Sequence, residues 1–381
     1  MSTPALFVGL ISGTSADAID AALVAVSDTS IETINTASVA FSPSTKMLLD
    51  DALSDPSTLT ARQLGVLDSC LGDAFAAAAS ELLRRANVAS NDITAIGSHG
   101  QTLFHEPTGK HPFTLQVGDG ARIAARTGID VVNDFRRADV ANGGEGAPLA
   151  PLLHDRLFRT TTGNRAVLNL GGIANLTLLP VDGPTSGFDT GPANTLMDTW
   201  ARWCGVGDYD ENGALAARGN VDLALLRQLR ADAYFDKPAP KSTGREHFNA
   251  AWLREHLSAA DQQAEALPAS RQADVMATLC MLSAATVVDA LQREAMHIDD
   301  IIVCGGGALN PTLMQMLQTQ LSSSTVTSSD DFGIDSEFVE ATLFAWLAAL
   351  HMAGKSVDTR SVTGSNRVAI AGTRHFAPEI A

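Results

Sequence analysis

The stretch 7-FVGLISGTSADAIDAALVAV-26 carries two apolar, partly β-branched runs separated by a turn of small residues. Such runs predict two buried strands joined as a hairpin. A second stretch, 166-AVLNLGGIANLTLL-179, repeats the order of strand, small-residue turn and strand. We interpret the two hairpins as the openings of two similar halves of the chain, with unrelated hairpins as the alternative.

Outward from these hairpins, short apolar runs alternate with longer helical patterns, which is typical of α/β proteins. Strands are predicted at 6–11, 21–26, 38–41, 93–97, 114–117, 129–132, 166–170, 176–179 and 301–304. Helices are predicted at 61–85, 195–203, 221–230, 270–294, 311–320 and 339–352. The length of 381 residues predicts two domains of ordinary size.

Composition excludes several classes of partner. The chain has 26 basic and 43 acidic residues and a net charge of −17, which disfavours nucleic acid and anionic membranes. No basic residue precedes Lys46, so the chain starts without the pattern of a secretory signal. The uncharged stretch 275–288 is shorter than the roughly 20 residues that cross a bilayer and predicts a core helix. Four dispersed cysteines suggest neither a disulfide framework nor a zinc site, so we expect a cytoplasmic protein.

The first turn is a candidate phosphate site, since small residues let backbone N–H groups approach an anion and hydroxyls add donors. Its acids are explained if Mg²⁺ lies beside the phosphates, because Mg²⁺ binds through oxygen. An ordinary turn with solvated acids is the alternative. The candidate nucleotide-binding residues are Gly13, Thr14, Ser15, Ala16, Asp17, Ala18, Ile19 and Asp20.

Two further glycine-rich turns follow predicted strands. Gly171 and Gly172 could hold the other side of the same phosphate chain. Gly305, Gly306 and Gly307, followed by Asn310, could let a flat ring lie against the backbone. This pattern is not GxGxxG with a following ribose acid, so a Rossmann dinucleotide site is disfavoured.

Asp189 stands in 186-SGFDTGPANT-195, between glycine-rich turns and the start of a predicted helix. A carboxylate at a rigid, exposed strand-to-helix junction can take a proton from water or a hydroxyl during phosphoryl transfer. The alternative is an acid that caps the helix.

Polar groups at strand ends are candidate substrate contacts, because α/β proteins bind ligands at the carboxyl ends of their strands. His99 and Gln101 follow one predicted strand, and Arg136 and Arg137 follow another. Arginine could bind a sugar carboxylate or a phosphate through two parallel hydrogen bonds. The basic loop 241–246 is either a mobile lid or a solvated turn.

Together these motifs resemble the anhydro-N-acetylmuramic acid kinase family, in the family's order and over nearly the whole chain. The matching segments are 9-GLISGTSADAID-20, 98-SHGQT-102, 134-DFRRAD-139, 143-GGEGAPL-149, 168-LNLGGIAN-175, 187-GFDTGPAN-194, 240-PKSTGREHFN-249, 303-VCGGGALNP-311 and 340-EATLFAWLA-348.

The resemblance implies a two-domain actin/hexokinase-like (ribonuclease H-like) ATPase fold with an interdomain cleft. We place one lobe at 1–135 joined by 355–381, and the other at 136–354. The implied reaction uses ATP, Mg²⁺ and water to convert 1,6-anhydro-N-acetylmuramic acid into N-acetylmuramic acid 6-phosphate. By resemblance Asp189 is the general base, Gly191 and Asn194 contact substrate, and Glu340 helps to place the metal with Asp17 and Asp20. A homodimer is compatible with the resemblance.

Two rival functions stay open at this point. One is a kinase of the same fold that acts on a plain anhydrohexose such as levoglucosan. The other is a non-catalytic ATP-dependent sensor or actin-like assembly protein. Ala18 also replaces the family's usual glycine, and we expect about 1 kcal/mol of strain if the turn requires positive φ at that position.

Overall fold

The computed structural model of the chain describes residues 4–13, 16–244, 246–294 and 296–378. Its strands are β1 Ala5–Ile11, β2 Ala18–Val26, β3 Ile31–Ala40, β4 Ile93–Ser98, β5 Gln101–Glu106, β6 Phe113–Val117, β7 Val131–Asn133, β8 Arg165–Leu170, β9 Ile173–Leu179, β10 Ser186–Pro192, β11 Asp300–Cys304, β12 Thr325–Ser328 and β13 Thr373–His375. Its α-helices are α1 Pro43–Ser54, α2 Ala61–Ala86, α3 Gly120–Thr127, α4 Arg137–Ala141, α5 Ala150–Phe158, α6 Asn194–Trp203, α7 Leu223–Leu229, α8 Ala250–His256, α9 Ala269–Arg293, α10 Pro311–Gln320, α11 Val339–Met352 and α12 Arg360–Thr363.

The chain divides into two compact units. Unit 1 comprises Met1–Leu153 and Gly333–Ala381, and unit 2 comprises His154–Phe332. The first unit therefore combines both ends of the chain, and its boundaries differ from those given above. Residues 136–153 and 333–354 belong to unit 1, because α11 packs on β1, β2 and β4. An almost uniformly apolar helix such as α11 does not show in its sequence which sheet it covers.

Unit 1 is built on a mixed sheet with the strand order β13-β7-β4-β1-β2-β3. Strands β1, β2 and β3 form an antiparallel meander, whereas β4 runs parallel to β1 and β7 runs parallel to β4. A separate hairpin of β5 and β6 follows β4 directly. This hairpin begins at Gln101, so the polar residues that follow β4 lie in a tight connection between two strands.

Helix α11 approaches this sheet unusually closely. A Cβ atom on Gly9 of β1 would lie 1.8 Å from the carbonyl oxygen of Ala341, and one on Gly97 of β4 would lie 1.9 Å from that of Phe344. Neither position has room for a side chain, because real Cβ contacts are much longer. Glycine in both strands therefore fixes where α11 crosses the sheet.

Unit 2 has a sheet of the same design, with the strand order β10-β9-β8-β11-β12. Strands β8, β9 and β10 form an antiparallel meander, and β11 and β12 continue the sheet in parallel with β8. The predicted similarity of the two halves is confirmed, because each unit opens with the hairpin of a three-stranded meander followed by parallel strands. Several elements escaped prediction, notably β5, β10, β12, β13 and most of β3.

Helix α9 lies in the core of unit 2. It is long and apolar enough to cross a membrane, and among the described residues it alone passes that test, but 83% of its most apolar window is buried inside the protein. The prediction of a core helix is confirmed. Its thiol Cys280 is fully buried, and burial raises the pKa of that thiol to about 12, so it stays protonated.

Candidate active site

The turn between β1 and β2 is anchored to the connection between β4 and β5. The Ser12 hydroxyl donates to Oε1 of Gln101 at 2.6 Å, and both side chains are buried. The backbone N–H of Ala16 donates to the carbonyl of Gly13 at 3.0 Å and closes the turn. Thr14 and Ser15, two of the predicted nucleotide-binding residues, lie outside the described residues.

Among the described residues of this turn, Ala16 has left-handed backbone, with φ +53°. Ala18 instead begins β2 and pairs with Ala40, so the strain that we expected at Ala18 is absent there. The cost of about 1 kcal/mol falls on Ala16, whose side chain is 1% exposed. Ile19 is equally buried in the sheet and contributes packing.

The predicted metal ligands occupy different environments. Asp17 is exposed and lies 3.9 Å from the ammonium of Lys46. Burial raises the pKa of Asp20, with a further rise from Asp335. Glu340 is exposed at the start of α11, where it lies within the electrostatic reach of Arg136 and Asp20. Within the described residues no group of three His, Cys, Asp or Glu side chains is arranged to hold a metal ion.

The polar residues at the strand ends of unit 1 leave several buried atoms without partners. His99 is 5% exposed, and burial, with the nearby Arg136, lowers its pKa well below the usual value, so the ring is neutral. Its Nδ1 lies 3.0 Å from the carbonyl of Gly100 and therefore carries the proton. Its Nε2 is thus an acceptor, and among the described residues nothing donates to it. Buried Ser98 Oγ is likewise unpartnered there.

The two adjacent arginines face different surroundings. Burial lowers the pKa of Arg136 to about 10, Glu340 opposes this shift, and the buried Nε of Arg136 has no acceptor within the described part of the chain. Arg137 is exposed and pairs with Asp134 at 3.3 Å. A buried donor without an acceptor is costly, so Arg136 is the better candidate for an anionic ligand.

In unit 2, the second glycine turn is joined to the beginning of α6. The carbonyl of Gly171 accepts the N–H of Asn194 at 3.0 Å, and that of Gly172 accepts those of Ala193 and Thr195 at 3.0 and 3.1 Å. The Asn194 side chain donates to the carbonyl of Leu170 at 2.9 Å. Asn194, predicted as a substrate contact, thus holds the hairpin in place.

The third glycine turn follows β11. Gly305 has φ +81°, and a Cβ atom there would lie 2.4 Å from Oδ1 of Asn169, so only glycine fits. Asn310 caps α10, because its side chain accepts the N–H of Leu313 at 3.1 Å. This capping role accounts for an asparagine at position 310 without any contact to a nucleotide.

Asp189 lies in the edge strand β10, where the register with β9 shifts between Asp189 and Gly191. Its Oδ2 accepts the Thr243 N–H at 2.9 Å and the Ser242 hydroxyl at 3.1 Å. No hydrogen bond to Oδ1 comes from any residue that the structure describes. Burial raises the pKa of the Asp189 carboxyl, the two donors oppose that rise, and Glu246 adds to it.

This geometry excludes the alternative of a helix-capping acid, because the N-cap of α6 is Ala193 and the Asp189 carboxylate is held by another segment. Segment 241–243 is therefore neither a solvated turn nor simply a lid, since it holds Asp189. Arg245 of the same loop lies outside the described residues. Sequence reasoning also missed Tyr234, whose hydroxyl donates to the Asp189 carbonyl at 2.8 Å. No spacing signal linked these residues to Asp189, and only the family motif 240–249 marked the loop.

Two units, each with a three-stranded meander followed by parallel strands, define the actin/hexokinase-like class of ATPases, and the predicted fold class is confirmed. The family model for anhydro-N-acetylmuramic acid kinase matches residues 5–377. The chain belongs to the anhydro-N-acetylmuramic acid kinase family, a family of sugar kinases.

Curated relatives agree with this assignment. The anhydro-N-acetylmuramic acid kinase of Xylella fastidiosa is 46% identical over 375 residues, with 98% of this chain and 96% of the relative covered. That of Xanthomonas campestris pv. campestris is 47% identical over 363 residues, with 94% of each covered. Among solved structures, component A of the Acidaminococcus fermentans (R)-2-hydroxyglutaryl-CoA dehydratase is similar at a TM-score of 0.46 and 14% identity, with 91% of this chain and 99% of that chain covered.

Proposed function

We propose that the protein is an ATP-dependent kinase that opens the 1,6-anhydro ring of 1,6-anhydro-N-acetylmuramic acid with water and phosphorylates O6. The products are N-acetylmuramic acid 6-phosphate and ADP, which would place the enzyme in the cytoplasmic recycling of cell-wall sugars. The observation that carries the proposal is Asp189, a partly buried carboxylate with Oδ2 held by two donors and Oδ1 without a partner among the described residues. The named relatives support the same sugar as substrate.

In this proposal Oδ1 of Asp189 accepts a proton from water as the water oxygen forms a bond to the anomeric carbon. The bond between that carbon and O6 breaks, and O6 forms a bond to the γ-phosphorus of ATP while the bond to the ADP oxygen breaks. The pKa of Asp189, raised by burial, favours this role, since a general base is most effective when its pKa approaches the working pH.

Two side chains of unit 1 carry polar atoms that suit a sugar. The buried Nε of Arg136 has no acceptor among the described residues and suits the lactyl carboxylate, because charge-assisted hydrogen bonds are strong in a partly dry environment. Neutral His99 offers an acceptor at Nε2 to which no described residue donates, and this atom suits a hydroxyl or amide N–H. Arg137, engaged with Asp134, is the weaker candidate for the carboxylate.

The glycine turns would approach the phosphates with their backbones. Among the described residues, a Cβ atom on Gly13 would meet nothing within 4 Å, and one on Gly171 would meet only the carbonyl of Ile173 at 3.6 Å, so neither glycine is crowded by them. Asp20 and Glu340 would hold Mg²⁺, because the negative charges of the two acids repel each other and a bound cation would relieve that repulsion. Bound Mg²⁺ would neutralise charge on the phosphate oxygens.

Mass analysis of the product formed in ¹⁸O-water tests the reaction. We expect one added phosphate and one ¹⁸O atom at the anomeric hydroxyl, with none in the phosphate. N-acetylmuramic acid 6-phosphate incubated with enzyme in ¹⁸O-water serves as the control for exchange. A phosphorylated product that retains the anhydro ring, or ¹⁸O located in the phosphate, would contradict the proposal.

A comparison of kcat/KM for anhydro-N-acetylmuramic acid and for levoglucosan, which lacks the acetamido and lactyl groups, tests the proposed substrate against the rival one. We expect a much lower kcat/KM for levoglucosan, since Arg136 would find no carboxylate. Equal values for the two sugars would favour the general anhydrohexose kinase. ADP release that no sugar stimulates would favour the non-catalytic sensor.

A further inference from the structure

The backbone of Asp189 is held separately from its side chain. Because β10 is an edge strand, the polar backbone groups on its open side have no neighbouring strand. The Asp189 N–H donates to the carbonyl of Lys241 at 3.0 Å, and the Asp189 carbonyl accepts from the Tyr234 hydroxyl at 2.8 Å. Both backbone groups of the candidate base are therefore occupied at the point where the register of the strand shifts.

Tyr234 is itself immobilised. Its side chain is 2% exposed and makes edge contacts with the rings of Phe235 and Phe248, with centroids 6.0 and 5.6 Å away. Its backbone N–H donates to Oδ1 of Asp232 at 2.8 Å. Burial, reinforced by the charge of Asp189, raises the pKa of the Tyr234 hydroxyl far above neutrality, so this group remains a hydrogen-bond donor at every working pH.

Lys241 links Tyr234 to the residues that bind the carboxylate. Its ammonium lies 4.6 Å from the centroid of the Tyr234 ring and donates to the Tyr234 carbonyl at 3.3 Å. The next two residues, Ser242 and Thr243, donate to Oδ2 of Asp189. Residues 241–243 thus bind both the backbone N–H and the carboxylate of Asp189, and the side chain of Lys241 contacts Tyr234.

We propose that Tyr234 is a positioning residue for Asp189, and that Lys241 holds Tyr234 and the carboxylate-binding segment together. The hydroxyl of Tyr234 fixes the peptide after Asp189, which sets the direction of the Cα–Cβ bond and presents Oδ1 to the reacting water. This inference rests on the proposed role of Asp189 as the base. Tyr234 touches no reacting atom, so its loss changes geometry and leaves substrate binding alone.

Tyr234→Phe removes only the hydroxyl, and Tyr209→Phe is the matched control, since Tyr209 is 60% exposed and is the chain's one other tyrosine. We expect Tyr234→Phe to lower kcat by about 10- to 100-fold, because misplacement of a catalytic group by about 1 Å costs about 100-fold. The KM values for ATP and the sugar stay within about twofold of wild type. Tyr209→Phe retains wild-type kcat.

Lys241 provides a second, independent test that does not depend on the folding of Tyr234→Phe. Lys241→Arg keeps a cation over the Tyr234 ring and is expected to retain most of kcat, whereas Lys241→Met is expected to lower kcat in the same way as Tyr234→Phe. A rise in both KM values with unchanged kcat, or an equal loss in Lys241→Arg and Lys241→Met, would overturn the positioning role.

The outcomes separate this inference from the proposed function. If the wild-type protein opens no anhydro-sugar, or if Asp189→Asn retains full turnover, the proposed function fails. If wild type is active, Asp189→Asn is inactive and Tyr234→Phe has wild-type kcat, only the positioning role of Tyr234 fails.

Discussion

Thr243 donates its backbone N–H to Oδ2 of Asp189 at 2.9 Å, from 54 residues further along the chain. The carboxylate is thereby held at one oxygen, while Oδ1 receives no hydrogen bond from the described residues. A base needs this asymmetry, because an oxygen already occupied by a protein donor is a poorer proton acceptor.

Asp189→Asn removes the proposed base and keeps the shape of the side chain. We expect kcat to fall by about 10²- to 10⁴-fold, the usual contribution of general base catalysis. ATP affinity and the unfolding temperature stay close to wild type. Asp182→Asn, which changes an exposed carboxylate in the same unit, is the control. Wild-type turnover in Asp189→Asn would remove this residue from the mechanism.

Ser242→Ala removes one of the donors that lower the pKa of Asp189. The pKa of Asp189 then rises further above its usual value. Because a base acts in its deprotonated form, the acid limb of the pH profile of kcat moves to higher pH. Ser186→Ala, at an exposed position of β10, is expected to leave the limb in place. A shift to lower pH would contradict the assignment.

Arg136→Gln tests the anionic contact proposed for the sugar. We expect KM for anhydro-N-acetylmuramic acid to rise about 10- to 100-fold, since hydrogen bonds to charged groups contribute about 1.5–3 kcal/mol. KM for ATP stays nearly constant. Arg137→Gln is the control, because that side chain pairs with Asp134 at the surface. A larger effect of Arg137→Gln would reverse the two assignments.

Glu340→Gln removes one of the two acids that would hold Mg²⁺. We expect the Mg²⁺ concentration for half-maximal rate to rise several-fold, because one anionic oxygen ligand is lost. Asp17→Asn is expected to change it less, since Asp17 lies beside Lys46 and is exposed. Glu32→Gln, at an exposed position of β3, controls for net charge. The Mg²⁺ titration at saturating ATP and sugar measures all three.

Gly97→Ala tests the close approach of α11 to the sheet of unit 1. The added methyl group would meet the carbonyl of Phe344, so we expect a loss of about 3 kcal/mol in the free energy of unfolding. Gly65→Ala is the opposite case, because it adds a methyl group to an open position in α2 and should stabilise by about 0.5–1 kcal/mol. Urea unfolding measures both, and equal midpoints would contradict the packing argument.

The sequence predicted the strands whose apolar runs are continuous, such as β1, β8 and β11. It missed most of β3, because Glu32, Asn35 and Thr36 interrupt the apolar pattern of a partly exposed edge strand. The sequence also failed to predict β10, because glycine and aspartate, which occur in this strand, have low β-propensity. Backbone hydrogen bonds with β9 hold that strand in place, and these leave no trace in the side-chain pattern.

The sequence by itself determined the family and the two opening hairpins, and it marked Asp189 as the candidate base, because each depends on a short run of residues that are adjacent in the chain. Only the tertiary structure decided which oxygen of Asp189 accepts hydrogen bonds from the described residues, which of Arg136 and Arg137 is the more buried, and which unit α11 covers. Those outcomes depend on burial and on hydrogen bonds between residues distant in the chain, such as Tyr234 and Asp189. Local sequence carries no information about such contacts until the fold brings the partners together.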